Sequence, residues 1–198
     1  MVRTSTLTGM IFAMVLLFTF EAGAWDGQRK GFVLGIGAGA GLSSYKLVSD
    51  SYSQIESDRF NKTAFMTDFK IGFAPSNRVM IFWASKVSWF GHKVAEGTEY
   101  ETSFTATNGI GGLGTSYFFQ PGGPSPYLTG TIGFSTWSTP FEANSDSYFG
   151  GGFSLGAGYE FSKHWSVEGN FSWGSPSDDF GDSVSTNAVR VTVNVLGY

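Results

Sequence analysis

Hydrophobic and polar positions alternate along residues 149–173, FGGGFSLGAGYEFSKHWSVEGNFSW. Up to Phe161 the odd-numbered positions are mostly apolar and the even-numbered positions are Gly, Ser or Glu; the alternation resumes at Trp165. Successive side chains of a strand point to opposite faces, so this period of two predicts strands with one apolar face. The three-residue break 162–164 between the two runs predicts a β-hairpin.

The polar face of this hairpin indicates which side points inward. It consists mainly of Gly and Ser, which solvate a surface poorly but fit the crowded interior of a narrow barrel. Aromatic residues lie near the strand ends, as in barrels whose apolar band faces lipid between two aromatic belts. The aromatic residues predicted to face lipid are Trp83, Trp89, Phe153, Tyr159, Trp165, Phe171 and Trp173.

The same alternation predicts six further strands. They cover residues 31–42, 60–74, 79–90, 104–120, 127–137 and 189–195. In the fourth strand the apolar positions change parity between Ile110 and Leu113, so a β-bulge is expected at Gly111-Gly112. Long and short connections alternate, and both termini lie on the side of the short turns. The sequence therefore predicts an all-β fold, an eight-stranded antiparallel up-and-down transmembrane β-barrel.

The N-terminal residues have the order of an export signal. Arg3 precedes an apolar run at residues 10–20, and Ala22-Gly23-Ala24 follows as a small-x-small cleavage site. The run is too short to cross a bilayer as a helix, which needs about 20 residues. We predict that residues 1–24 are a cleaved secretory signal peptide and that residues 25–198 form the barrel domain.

Composition supports a membrane barrel and argues against several other classes. Charged residues make up 14% of the chain, aromatic residues 17%, and 28 residues are Gly; in soluble domains about a quarter of residues are charged. The mild net charge of −4 argues against nucleic acid as a partner, and the lack of Cys excludes disulfides and thiolate metal sites. The GIGAGAG stretch superficially matches a phosphate-binding loop, but such a loop must open a helix, and no helical periodicity follows. No cofactor or metal is expected.

Six charged residues occupy inward positions of the predicted strands. Three are acidic and three are basic: Asp68, Lys70, Lys86, Glu160, Glu168 and Arg190. Charges inside a narrow barrel are costly unless they are paired, and eight strands leave an interior just wide enough for side chains. We predict a structural salt-bridge network that fills the lumen; a polar path for ions is the alternative.

Three segments carry a resemblance to a known superfamily. They are KGFVLGIGAGAG, GLGTSYFFQPGGPSPYLTGTIGFSTW and GAGYEFSKHWSVEGNFSW. These resemble the small outer-membrane β-barrels, which include the OmpA-like, OmpX-like and OmpW-like proteins. The resemblance implies a bacterial outer-membrane location with both termini in the periplasm. It also implies recognition by the assembly machinery through a C-terminal aromatic residue, here Tyr198, which has the opposite parity to the outward valines of the last strand.

The His164-Trp165-Ser166 sequence is similar to the His-x-Ser motif of lipid-deacylating outer-membrane barrels. Glu168 could orient the histidine in a nucleophile–base–acid set. However, His164 lies in a predicted short periplasmic turn, at the end of the barrel opposite the outer leaflet. We therefore predict no catalytic residues and no enzyme. His92, in an external loop, has no partner at metal-ligand spacing.

The expected function is a structural, envelope-integrity or surface-interaction role. An OmpW-like channel for small apolar molecules, which would need an opening in the barrel wall, and a lipid A deacylase-like enzyme are the alternatives. The predicted external loops contain eleven acidic and three basic residues. They are either ordinary solvated loops or share divalent cations with lipopolysaccharide phosphates. The expected partners are outer-membrane lipid, lipopolysaccharide and the assembly machinery, with no nucleic acid, and the protein is expected to be a monomer.

Overall fold

The computed structural model describes residues 28–48, 59–94, 102–142, 147–178 and 182–198, and it forms one closed barrel. The strands are β1 (Gly31–Val48), β2 (Phe60–Ser76), β3 (Val79–Val94), β4 (Thr102–Phe118), β5 (Ser125–Ser138), β6 (Ser147–Ser162), β7 (Trp165–Ser177) and β8 (Ser183–Gly197). Each strand pairs antiparallel with the next, and β8 pairs with β1. The predicted eight-stranded antiparallel barrel is confirmed. The predicted signal peptide and most of the acidic loop residues lie outside the described residues.

Side chains alternate between the lumen and the outer surface as the sequence pattern predicted. In β7 every even-numbered residue from Ser166 to Pro176 is buried, and every odd-numbered residue is exposed. Leu155 in β6 and Val191 in β8 are exposed on the outside, whereas Ser154 and Thr192 beside them are buried. Within the described ranges, no helix has the length and hydropathy needed to cross a membrane.

The prediction of a β-bulge in β4 is wrong. The pairing of β4 with β3 and with β5 continues without a register shift through Gly111-Gly112. Ile110 points into the lumen and is 2% exposed, whereas Leu113 points outward and is 59% exposed. The apolar residues of β4 therefore change face without any change of register, because the lumen near the long loops is itself lined by apolar side chains.

Gly112 does mark a close approach between β4 and β5. It has a φ of 153° and opposes Gly133, and a Cβ atom on Gly112 would lie 2.7 Å from the Cα of Gly133. Glycine is required at such a position because it tolerates positive φ and brings no side chain between the strands. The glycine pair thus allows tight local packing while the register is kept.

Several strands extend beyond their predicted ends on the side of the long loops. β1 continues to Val48 and pairs there with Ser183 at the start of β8. The polar Ser43-Ser44 and Ser185-Thr186 segments, which carry little hydrophobic signal, are part of the paired sheet. Backbone pairing therefore continues past the apolar band, where the hydrophobic pattern no longer marks the strand.

Two clusters of buried apolar residues fill opposite ends of the lumen. The short-turn cluster contains Val33, Ala74, Met80, Phe82, Ala84, Phe118, Tyr127, Leu196 and Tyr198. The loop-end cluster contains Tyr45, Ala64, Met66, Phe90, Ala106, Trp137, Val184 and Ala188. Along β3, Lys86 lies between Ala84 of the first cluster and Phe90 of the second. The buried charges therefore occupy a layer between two apolar clusters.

Candidate functional site

Four buried charged residues form a compact ion-pair group in the middle of the lumen, which we call the central charge cluster. Lys86 Nζ lies 2.6 Å from Asp68 Oδ2 and 2.8 Å from Glu168 Oε1. Lys70 Nζ lies 2.5 Å from Glu168 Oε2 and 3.3 Å from Asp68 Oδ2. β2, β3 and β7 each direct these residues inward because they occupy the lumen-facing parity of their strand. Each lysine therefore contacts both acids, and the four charges balance.

Glu168 is the most highly coordinated member of this cluster. Besides the two lysines, the Tyr127 hydroxyl donates to Oε2 at 2.8 Å and Asn170 Nδ2 donates to Oε1 at 2.7 Å. A buried carboxylate is stabilised only when such donors replace the lost water. Tyr127 can reach Glu168 because it lies directly over Gly158 on the neighbouring strand.

Arg190 lies in the lumen without a carboxylate within ion-pair distance among the described residues. Its Nη2 donates to Ser88 Oγ at 3.4 Å and to Ser172 Oγ at 3.2 Å. Within the part of the chain that the structure describes, its Nε and Nη1 find no hydrogen-bond acceptor. Arg190 is thus a buried cation held by hydroxyl groups rather than by an acid.

Glu160 departs from the single network that the sequence predicted. It lies at the short-turn end of the lumen, where its Oε2 accepts from Arg29 Nε at 2.7 Å and its Oε1 accepts from the Tyr198 hydroxyl at 2.7 Å. β6 places Glu160 next to the turn that leads into β7, whereas Glu168 lies further along β7. The six predicted residues are all buried, but Glu160 lies at the short-turn end of the lumen, apart from the other five.

Arg29 is a lumen residue that the sequence pattern did not reveal. It precedes β1, so no strand alternation marks its direction. The guanidinium lies 4.1 Å from the centroid of the Phe118 ring, and Nη1 donates to the backbone carbonyls of Asn77 and Gln120. The six predicted charges already comprise three acids and three bases, so their number gave no reason to expect a further base beside Glu160.

Tyr198 also points into the lumen, as its parity on β8 indicated. Burial raises the pKa of the Tyr198 phenol to about 12, and its hydrogen bond to Glu160 acts in the same direction. The hydroxyl therefore remains a protonated donor at physiological pH. Tyr198 closes the short-turn end beside the Arg29–Glu160 pair, and its part in assembly remains a prediction.

His164 and Ser166 have different partners. His164 Nδ1 donates to the Leu196 carbonyl at 2.8 Å, and its ring packs against Tyr198. Ser166 is buried in the lumen, and its hydroxyl hydrogen-bonds to the Tyr127 hydroxyl at 3.2 Å. This geometry does not supply a nucleophile activated by His164. The side chain of His92 lies outside the described residues, and no group of metal-ligating side chains is found within the described ranges.

The predicted lipid-facing aromatic residues all have the outward parity of their strands. Trp83, Tyr159, Trp165, Phe171 and Trp173 are exposed, and Trp89 and Phe153 are partly exposed. Trp89 Nε1 donates to Thr67 Oγ1 at 3.0 Å, and the Phe153 and Trp173 rings lie 6.0 Å apart. Such pairs leave the indole and phenyl faces on the outer surface of the barrel.

The closed antiparallel barrel, with its apolar outer surface and its buried layer of charges, has the architecture of a membrane β-barrel. Residues 121–198 match the family model of the outer membrane protein beta-barrel domain. The resemblance inferred from the sequence is thereby confirmed. The C-terminal part of the chain thus matches this family, and the described chain as a whole has the closed eight-stranded fold of outer-membrane β-barrels.

Solved structures of several small outer-membrane proteins are similar to this chain. Neisserial surface protein A shares 15% identity, with a TM-score of 0.49 over 84% of this chain and 97% of that chain. OprG from Pseudomonas aeruginosa shares 14% identity, with a TM-score of 0.46 over 87% and 97%. Ail, the attachment invasion locus protein of Yersinia pestis, shares 12% identity, with a TM-score of 0.44 over 83% and 99%. None of the curated proteins matches the chain significantly. Similarities this low say nothing about what this chain binds.

Proposed function

We propose that this protein is a structural and surface-interacting component of the bacterial outer membrane rather than a channel. The observation that supports this role is the filling of the lumen. The central charge cluster lies between the short-turn cluster and the loop-end cluster, and each of these layers is made of buried side chains.

A hydrated ion crossing this lumen would meet two kinds of obstacle. It would have to separate the lysines from Asp68 and Glu168, which lie at contact distance. It would also have to displace stacked aromatic side chains, such as Tyr45 against Phe90 with ring centroids 5.7 Å apart. Both steps oppose permeation, since eight-stranded barrels hold side chains rather than an aqueous bore.

Planar-bilayer recording of the purified protein tests the proposal. We expect no discrete conductance steps above the leak of the lipid alone, with a large porin as the positive control. Stable unitary openings from pure protein would contradict the structural role and support the channel alternative.

We further propose that the long loops face the cell exterior, that both termini face the periplasm, and that the barrel is a monomer. Its partners in this role are outer-membrane lipid and lipopolysaccharide, with insertion by the assembly machinery. The support is the asymmetry of the connections, because outer-membrane barrels have short periplasmic turns and longer external loops. The acidic loops would then contact the environment or share divalent cations with lipopolysaccharide.

Epitope tags test this orientation. A tag inserted at residues 143–146, between β5 and β6, should bind antibody on intact cells, whereas a tag between Gly122 and Gly123 should bind only after permeabilisation. Labelling of the second tag on intact cells, with the first one silent, would reverse the proposed orientation.

A further inference from the structure

Arg190 is buried in the same layer of the lumen as the central charge cluster. It is 1% exposed, and it reaches toward Ser88 on β3 and Ser172 on β7. Met66 and Ala188, two apolar residues of the loop-end cluster, lie in the lumen between this layer and the long loops. They are on the same strands as Asp68 and Arg190. Arg190 is therefore a permanent cation in a layer closed on both sides by apolar residues.

The charges of this layer do not balance. The two acids, Asp68 and Glu168, are already shared between Lys70 and Lys86. Arg190 adds a third cation, and arginine does not lose its proton in proteins. A buried cation without a counter-charge is strongly unfavourable, so the layer favours the entry of one negative charge.

The unused donors of Arg190 give that charge a position. Only Nη2 has hydrogen-bond partners, while Nε and Nη1 have none among the described protein groups. The hydroxyls that receive Nη2, Ser88 Oγ and Ser172 Oγ, have their own protons to donate. Nε–H lies on the same edge of the planar guanidinium as Nη2, so this free donor and the two serine hydroxyls face the same part of the lumen.

We propose that Arg190, together with the hydroxyls of Ser88 and Ser172, binds one small monovalent anion of the halide class, such as chloride, inside the barrel. A halide accepts hydrogen bonds from several directions and neutralises the excess charge. Larger oxyanions are disfavoured because the interior of an eight-stranded barrel is filled by side chains. The competing arrangement is a water molecule between Arg190 and the Oδ1 of Asp68, which also has no described partner. Water would satisfy the donors but leave the charge.

Anion-dependent stability tests the proposal. The mature chain is refolded in zwitterionic micelles, and urea unfolding is followed at constant ionic strength while sodium gluconate is replaced by sodium chloride. A ligand that binds only the folded state raises the folding equilibrium constant by 1 + [L]/Kd, about elevenfold when chloride is ten times its Kd. The rise should saturate and should disappear in Arg190→Met. Arg78→Gln, which alters an exposed cation in a turn, should keep it.

Equal unfolding midpoints in chloride and gluconate would overturn the proposal and favour the water-bridged arrangement. A chloride effect that persists unchanged in Arg190→Met would also overturn it, because the anion would then bind elsewhere. Crystals of the wild-type protein grown in bromide give a second readout that needs no variant. An anomalous peak beside Arg190 supports the site, and the lack of one in well-ordered crystals contradicts it. Ser172→Ala, which keeps the arginine, should weaken chloride binding several-fold.

Discussion

At the scale of single residues, the stability of the filled lumen depends more on Glu168 than on Asp68, the other acid of the central charge cluster. Glu168 accepts contacts from Lys70, Lys86, Tyr127 and Asn170, whereas only Oδ2 of Asp68 has partners among the described residues. Removing one partner of a buried ionic group leaves the others as uncompensated buried charges. The two lysines would then share a single acid.

Glu168→Gln should therefore destabilise the folded barrel by about 3–5 kcal/mol, as breaking a buried ion pair does. The amide keeps the shape of the side chain and removes only its charge. The measurement is urea unfolding in lipid vesicles. Glu142→Gln is the matched control, since Glu142 is exposed after β5 and its loss should change stability by less than about 0.5 kcal/mol. Equal effects of the two substitutions would contradict the importance assigned to Glu168.

The direction of the six lumen charges that lie on strands can be predicted from the sequence, but their partners cannot. Asp68, Lys86 and Glu168 were placed inward because strand parity alone determines facing. Their pairing depends on the stagger of the strands around the barrel, which residue types do not specify. Arg29 illustrates the limit, because it precedes β1 and reaches Glu160 on β6 across the barrel.

At the scale of strands, β5 packs against β6 through an aromatic side chain that lies over a glycine. Tyr127 lies directly opposite Gly158, and a Cβ atom on Gly158 would lie 2.7 Å from Tyr127 Cε1. The ring must therefore move if Gly158 gains a side chain. Because the Tyr127 hydroxyl also donates to Glu168, such a movement would disturb the central charge cluster.

Gly158→Ala should destabilise the barrel by about 1–3 kcal/mol through overpacking. Gly151→Ala is the matched control on the same strand, because a Cβ atom there meets nothing within 4 Å. It should be neutral or stabilise the barrel by about 0.5–1 kcal/mol, since alanine loses less backbone entropy than glycine. Denaturant unfolding of both variants under identical conditions gives the comparison, and a destabilising Gly151→Ala with a neutral Gly158→Ala would refute the packing argument.

The outward face of β6 should respond to charge according to depth. Leu155 is 61% exposed near the middle of the strand, and Phe161 is exposed near its end. Leu155→Arg should cost about 2–4 kcal/mol in vesicles, whereas Phe161→Arg should cost about 0–1 kcal/mol at the interface. Unfolding free energies in vesicles measure both, and equal costs would contradict the placement of Leu155 at the bilayer centre.

In β4, the alternation of apolar residues does not identify the outward face, which is why the prediction of a bulge at Gly111-Gly112 is wrong. Apolar residues of a strand stay on the outer face only where the lumen beside them is polar. Ala106 belongs to the apolar loop-end cluster, and Ile110 is buried opposite Lys86, so both apolar residues face the lumen. The unbroken register with β3 and β5 comes from backbone pairing, which the composition of β4 does not report.

At the scale of the whole molecule, the apolar outer surface is the feature that requires a membrane. Ile36, Leu42, Ile132, Phe149 and Val189 are all exposed and belong to four different strands. Soluble monomers rarely expose contiguous apolar patches larger than a few hundred Å². The hydrophobic effect would therefore drive this surface to associate in water, whereas hydrocarbon covers it without cost.

This surface predicts how residues 25–198, the predicted barrel domain, behave outside a membrane. When residues 25–198 are diluted from urea into zwitterionic micelles, we expect a folded barrel, seen as β-type circular dichroism and a shift in gel mobility on heating. Dilution into the same buffer with detergent below its micelle concentration should give aggregates that sediment, because no other surface is present to cover the apolar band. Analytical ultracentrifugation distinguishes the two states. A folded monomer in detergent-free buffer would mean that the outward apolar side chains do not need hydrocarbon, and the orientation of every strand would have to be reassigned.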